Sequence, residues 1–319
     1  MQCRICKNSN NNTIYSVKEM MYGSKDEFTY FQCSQCECLQ IANVPKDISK
    51  YYPANYYSFS AIPKSQLLGS LMNNIKKLKD TYTVKNIGLI GRFLDFMKPN
   101  VNLRSLSHIN LTKESKILDV GCGNGTLLYA LREIGFSNTE GIDPYIKKSI
   151  VYDNGLEIKK INIHNIDGQW DLVMFHHSFE HILDQIETLS SASSLMKKGG
   201  YCLIRVPTVS SYAWEHYREN WVQLDAPRHF YLHSLKSMEY LAKKTNFVIE
   251  KVIFDSSDFQ FVGSEQYSKG IPLLSNNLIN SSLAKPIYSK RELKFFKKQS
   301  IVLNKLNRGD QASFYLRKK

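Results

Sequence analysis

Between Ile117 and Phe254 the chain alternates short apolar runs with stretches of helical spacing. Ile117, Leu118 and Val120 form a run suited to a strand covered on both faces. Thr126 to Ile134 follows with Leu127, Leu128, Leu131 and Ile134 on one helical side, and Gly135 stands where a helix ends. Gly141-Ile142-Asp143 reads as the end of a second strand, Glu157 to Ile163 as a third, Trp170 to Phe175 as a fourth and Tyr201 to Pro207 as a fifth. A helix over Ile182 to Met196 precedes the fifth strand; a helix from Ser234 to Thr245, capped by Ser234, precedes a strand over Phe247 to Phe254. Strands separated by helices predict an α/β fold with a parallel, doubly wound sheet.

Either side of this core the pattern changes. Gln66 to Lys79 and Tyr82 to Met97 show helical spacing through Leu67, Leu71, Ile75 and Leu78, then Ile87, Ile90, Leu94 and Met97. Arg291 to Leu306 sets Phe295, Phe296, Val302, Leu303 and Leu306 to one side, and Ala312 to Leu316 suits a final strand, so this end is expected to dock on the core. The expected division is a cysteine-bearing module over 1–45, an aromatic and helical connector over 46–113, a core over 114–255 and a basic extension over 256–319.

The first strand breaks into Gly121-Cys122-Gly123-Asn124-Gly125, where residues without Cβ tolerate positive φ and let backbone approach a ligand. Strand, glycine turn, helix, strand and the acid Asp143 make a nucleotide crevice, with the acid placed to accept from ribose hydroxyls. The third glycine falls two residues after the second, unlike the dinucleotide fingerprint. Together with Asp119 inside the first strand, Gly-x-Gly-x-Gly resembles the first motif of class I S-adenosylmethionine-dependent methyltransferases, as does the Lys198-Gly199-Gly200 turn before the fifth strand. That resemblance implies a Rossmann-like core and a residue-by-residue cofactor site. Gly121, Cys122, Gly123 and Gly125 pass the methionine end of S-adenosyl-L-methionine, Asp119 supports the turn, Asp143 takes the ribose, and Pro144 and His176 complete the contact.

Five of the seven cysteines lie within the first 38 residues. Cys3-x-x-Cys6 and Cys33-x-x-Cys36 spell a closed, structural zinc site in a small ribbon; a redox pair is the other reading, and Cys38 either packs nearby or exchanges with Cys36. The formal charge of +13 is concentrated after residue 284, with eleven Lys or Arg against Glu292 and Asp310. A solvated helix face, a phosphate-bearing substrate and an anionic membrane surface each account for it, the last leaving peripheral membrane contact open. No run of about 18 apolar residues occurs, and Met1 to Arg4 begins no apolar leader, so a cytoplasmic location is expected. Oligomeric state is not legible.

His177-Ser178-Phe179-Glu180-His181 spells the inverted zinc-peptidase string. It follows directly on the fourth strand of a nucleotide fold, so the preferred reading puts His177 beside the sulfonium, with Glu180 and His181 orienting the turn and touching substrate. Trp221 to Tyr231 carries Asp225, Arg228 and His229 on the active-site edge. This segment resembles one in two-domain sugar methyltransferases, including C-methyltransferases of deoxysugar biosynthesis. The match implies His229 as catalytic base, backed by His177, and Arg228 in place of a glutamate suits a phosphate or carboxylate. Tyr51 to Tyr57 holds four tyrosines; it either packs on the core or walls the acceptor pocket through Tyr56 and Tyr57. The expected acceptor is a small sugar, nucleotide-linked or lipid-linked. A nucleic-acid substrate is disfavoured because no Asn/Asp-Pro-Pro-aromatic string follows the fourth strand. A non-catalytic scaffold recruiting partners through the zinc module is the alternative of another class.

Overall fold

The computed structural model describes residues 1–52, 70–274 and 287–319. Tyr56 and Tyr57, and the start of the helix expected from Gln66, lie outside them. Three strands open the chain: β1 (Thr13–Lys18), β2 (Glu27–Gln32) and β3 (Leu39–Ile41). Helices α1 (Ser70–Lys85), α2 (Leu89–Met97) and α3 (Val101–Arg104) follow. The core then runs β4 (Ile117–Val120), α4 (Thr126–Glu133), β5 (Thr139–Ile142), β6 (Ile150–Val151), β7 (Glu157–Lys159), β8 (Trp170–His176), α5 (Gln185–Ser194) and β9 (Met196–Pro207). It continues through α6 (Tyr212–Tyr217), β10 (Tyr231–Leu232), α7 (Leu235–Lys244), β11 (Phe247–Phe254), α8 (Phe259–Ser268), α9 (Lys290–Lys305) and β12 (Gln311–Lys318).

Eight strands form the main sheet in the order β11-β12-β9-β8-β4-β5-β7-β6. β4 pairs in parallel with β5 and β8, and β8 in parallel with β9. The C-terminal strand β12 inserts antiparallel between β9 and β11. Alternation along the strands sends Leu118, Val120, Val173, Phe175 and Ile204 to one buried face and Ile117, Leu172, Met174 and Leu203 to the other. Both faces are covered, which is why these strands read as continuous apolar runs rather than alternating ones. The parallel α/β core is thus the expected one.

The second sheet, β1-β2-β3-β10, takes its last strand from the far side of the core sequence. Tyr231 pairs with Gln40 and Leu232 with Leu39. Ser234, the cap of α7 in a reciprocal capping box with Ser237, also donates to Cys36 O at 2.5 Å. One continuous apolar cluster therefore joins Tyr30, Phe31, Cys38 and Leu39 to Trp214, Trp221 and Phe175.

Several boundaries and faces differ from expectation. The third strand ends at Lys159, and Ile163 falls in a 3₁₀ turn. The helix before β9 stops at Ser194, because Met196 already pairs with Trp170. The break between the connector helices comes at Asn86 and Gly88, which hold φ of 57° and 103°, rather than near Asp80. These helices face inward with their polar side: Gly91 abuts the Leu78 carbonyl, and Asp95 takes Thr83 Oγ1 at 2.8 Å and the Arg104 guanidinium. Ile75, Leu78, Ile87, Ile90 and Met97, which carry the helical spacing, are exposed. In α9 only part of the expected stripe packs: Leu303 is buried and Phe296 stacks on Phe261 at 5.3 Å, whereas Phe295, Val302 and Leu306 face outward.

Candidate active site

The carboxyl ends of β4, β5, β8 and β9 meet at the glycine turn. Gly121, Gly123 and Gly125 hold φ of 73°, 55° and 74°, so all three occupy backbone that side chains resist. A Cβ on Gly121 would stand 2.5 Å from Ser178 Cβ, and one on Gly125 2.5 Å from Ile158 Cδ1. Gly121 N–H donates to Ile142 O at 2.8 Å, and Ser178 Oγ donates to Val120 O at 2.6 Å, pinning the turn to β5 and to the loop after β8. Asp143 Oδ2 accepts from Gly123 N–H at 2.9 Å and Oδ1 from Tyr145 N–H at 2.8 Å. A carboxylate has about four acceptor sites, so Asp143 retains capacity for hydroxyl donors. Asp119 Oδ1 is buried with no hydrogen-bond partner among the described residues; burial, with the Asp143 charge beside it, pushes its carboxyl well above the ordinary value. His176 Nδ1 is buried and has no partner among the described residues, while Nε2 lies 3.4 Å from Ser105 Oγ. Cys122 and Pro144 are half-buried beside the turn.

Beyond the turn, His177 takes φ 52° and places its ring between two groups. Nε2 accepts from Arg205 Nη1 at 2.8 Å, and Nδ1 lies 3.4 Å from Glu180 Oε1. Arg205 in turn donates to Asp255 Oδ2 at 2.7 Å and Asn102 Oδ1 at 2.9 Å. Glu180 is fully buried, and neither carboxylate oxygen has a hydrogen-bond partner among the described residues. Burial opposes its charge, but His177, His181 and His229 around it outweigh that and hold the carboxyl at about 2. His229 donates from Nδ1 to Gln223 O at 2.7 Å, which fixes the tautomer and leaves Nε2 as an acceptor. That nitrogen stands 3.9 Å from Glu180 Oε1 and 3.8 Å from Asp225 Oδ2. His181 donates from Nδ1 to Arg228 O at 2.8 Å and packs edge-on to His229, with centroids 4.8 Å apart.

Arg228 has a setting different from the substrate contact expected of it. Its guanidinium is 0% exposed and donates to Asp225 Oδ1 at 2.6 Å, Glu19 Oε1 at 3.0 Å and Tyr51 O at 3.1 Å. Asp225 is occupied by the same pairing, so both shape the loop that presents His229. Glu19 gave no signal in the sequence, since it lies 209 residues from its partner. Arg205 did give one: a cation inside Cys202-Leu203-Ile204-Arg205-Val206 needs a buried partner. Of the tyrosine segment, Tyr52 reaches within 3.4 Å of His181 Nδ1.

At the N-terminus, Cys3 Sγ and Cys36 Sγ are 3.6 Å apart and Cys6 Sγ and Cys33 Sγ 3.5 Å, all four within 4.8 Å of one another. Tetrahedral zinc–thiolate bonds of about 2.3 Å put sulfurs about 3.8 Å apart, so the donor set fits that ion. Gln40 Nε2 donates to Cys3 Sγ at 3.1 Å, a typical outer-shell contact. Cys38 stands outside the cluster, buried in the core.

The sequence of residues 91–252 matches the family model described as a methyltransferase domain, more than half of the chain. The chain belongs to that family. It is an S-adenosylmethionine-dependent methyltransferase, and the glycine turn with its two acids fits the cofactor: positive φ at all three glycines, no room for a Cβ at Gly121 or Gly125, an Asp119 oxygen without a partner among the described residues and a retained acceptor on Asp143. Among solved structures, an S-adenosylmethionine-dependent methyltransferase from Archaeoglobus fulgidus is 19% identical with TM-score 0.42, covering 73% of this chain and 100% of its own. The cyclopropane synthase MmaA2 from Mycobacterium tuberculosis is 14% identical with TM-score 0.43, covering 67% and 81%. A comparison with curated proteins finds no match. No helix among the described residues is long and apolar enough to cross a membrane. A cleft of about 420 Å³ beside Lys116, Arg132 and Trp170 opens at the opposite ends of the strands and belongs to no part of this methyltransferase site.

Proposed function

We propose that this methyltransferase acts on a small sugar-based acceptor, nucleotide-linked or lipid-linked, with His229 taking the acceptor's proton. One observation carries the reading: His229 Nδ1 is committed to Gln223 O, while Nε2 keeps a free lone pair next to Glu180. When bound, S-adenosylmethionine supplies a methyl group on a sulfonium, ready for in-line displacement. The chain's own work is alignment, exclusion of water and removal of one proton. Asp143 holds the ribose, Asp119 steadies the turn, and Glu180 stabilises the imidazolium that forms on His229. His177, held between Arg205 and Glu180, positions that carboxylate. Arg228 and Asp225 act one step removed, by fixing the loop of His229.

The same reading assigns structural zinc to Cys3, Cys6, Cys33 and Cys36 and a cytoplasmic place of action, with the 1–45, 46–113, 114–255 and 256–319 division as its organisation. Calorimetry with S-adenosylhomocysteine tests the cofactor half. Asp143→Ala is expected to weaken binding at least tenfold, the loss of about one charge-assisted hydrogen-bond pair; unchanged affinity would sink the ribose assignment. Methyl transfer from purified protein to a panel of nucleotide sugars, absent in His229→Ala with cofactor binding kept, tests the acceptor half.

A further inference from the structure

We propose that Glu180, His181 and His229 form a second metal centre, a two-histidine, one-carboxylate site for a divalent transition-metal ion beside the cofactor turn. One ligand atom from each residue lies within 4.8 Å of the others, and Glu180 Oε1 and His229 Nε2 are already 3.9 Å apart. Two further observations point to an ion. First, the carboxylate of Glu180 is fully buried and neither oxygen accepts a hydrogen bond from any of the described residues. A buried acceptor left bare is costly, and three histidines around it offer only one near N–H, that of His177 at 3.4 Å. Second, both candidate histidine ligands donate Nδ1–H to a main-chain carbonyl, His181 to Arg228 O at 2.8 Å and His229 to Gln223 O at 2.7 Å. Anchoring one nitrogen to a carbonyl is how a metal-binding imidazole is locked into the tautomer whose other nitrogen bears the lone pair.

The donor set decides the class of ion. Two imidazoles and a carboxylate suit zinc, iron or cobalt in the divalent state and leave open positions for an exogenous oxygen, unlike the closed sulfur site at the N-terminus. Glu180 and His181 sit in the turn that follows β8, two and three residues after Ser178, whose hydroxyl holds the carbonyl before Gly121. An acceptor hydroxyl bound to the ion would therefore lie next to the methyl donor. The inference rests on the reading that the acceptor enters here. It changes one role within it: His229 serves as a ligand, the ion lowers the pKa of the acceptor hydroxyl so that its proton passes to solvent, and the resulting alkoxide takes the methyl group as S-adenosylhomocysteine leaves.

The test is a metal titration of the full chain, with no methyl acceptor present. After loading with excess zinc and gel filtration, Glu180→Gln and His181→Ala are each expected to carry one equivalent fewer than the unaltered protein. Equal metal content in all three overturns the proposal. If either variant fails to fold, cobalt decides on the unaltered protein loaded with a single equivalent of zinc, which the four thiolates take first. One saturating equivalent giving a visible d–d spectrum without thiolate charge transfer supports the site, and no spectrum at saturating cobalt overturns it. Calorimetry with S-adenosylhomocysteine on the same samples separates the two readings: cofactor binding with no second metal refutes only the metal centre.

Discussion

Arg228→Ala removes the hub of a buried charge cluster, and its cost can be worked from the contacts. The guanidinium is fully buried and neutralises two carboxylates, Asp225 at 2.6 Å and Glu19 at 3.0 Å. Breaking a buried pair by removing one partner costs about 3–5 kcal/mol, because the surviving charge stays desolvated. Glu19 keeps two donors, Tyr22 N–H at 2.9 Å and Ser24 N–H at 3.0 Å, which softens its share. Asp225, 15% exposed at its side chain, gains some solvent. The lower end, about 3 kcal/mol, is therefore expected, which lowers the melting midpoint by about 4–5 °C for a chain of 319 residues. Arg228→Lys keeps the charge but not the fork, so it should lose about half as much. Urea and thermal unfolding of the three proteins measure this, with acceptor KM read alongside. Unaltered midpoints together with a raised KM would show that Arg228 touches substrate and would refute the structural role.

Two further outcomes follow from other buried groups. Burial pushes the Asp310 carboxyl up to about 6 from 3.8, despite the Trp221 Nε1 donor at 3.0 Å. The folded state thus holds this proton more tightly than the unfolded state, so the contribution of Asp310 to stability is greatest below about pH 4 and is lost as pH rises through about 6, a change of about 3 kcal/mol. Asp310→Asn should flatten that interval in unfolding measured from pH 4 to 7; an unchanged difference curve would count against it. Cys33→Ser removes one of the four clustered sulfurs and is expected to lower metal content by one equivalent and to loosen β1–β3, seen as faster amide exchange at Tyr30 and Ile41; full metal retention would contradict the tetrahedral assignment.

The glycine turn, β4, β8 and the acid of Asp143 were legible because each is written within a few consecutive residues whose neighbours in space are neighbours in sequence. The cysteine cluster was legible for a different reason: thiol pairs at fixed spacing have few other uses. What failed was direction. Periodicity in α1 and α2 reports a stripe, but which side turns inward was decided by Gly91 and Asp95, whose partners Leu78, Thr83 and Arg104 lie on other elements. The same holds at the candidate site. His229 stood out by residue type, yet its free nitrogen depends on Gln223 O, a main-chain atom no sequence pattern marks. Glu19 was invisible because a lone glutamate in a polar hairpin looks solvated until Arg228 is brought against it.

Strand β10 begins two residues after His229 and completes the sheet of the cysteine module. Tyr30 Oη donates to His229 O at 2.8 Å, Ile41 N–H to Phe230 O at 3.0 Å, and Phe230 N–H to Glu180 O at 2.9 Å. The module is therefore a splint for the wall on which His229 hangs, and excising it would leave that wall without its backing. A chelator that draws the proposed zinc from the four sulfurs would then quench turnover from afar, as a frame that sags jams the door it carries.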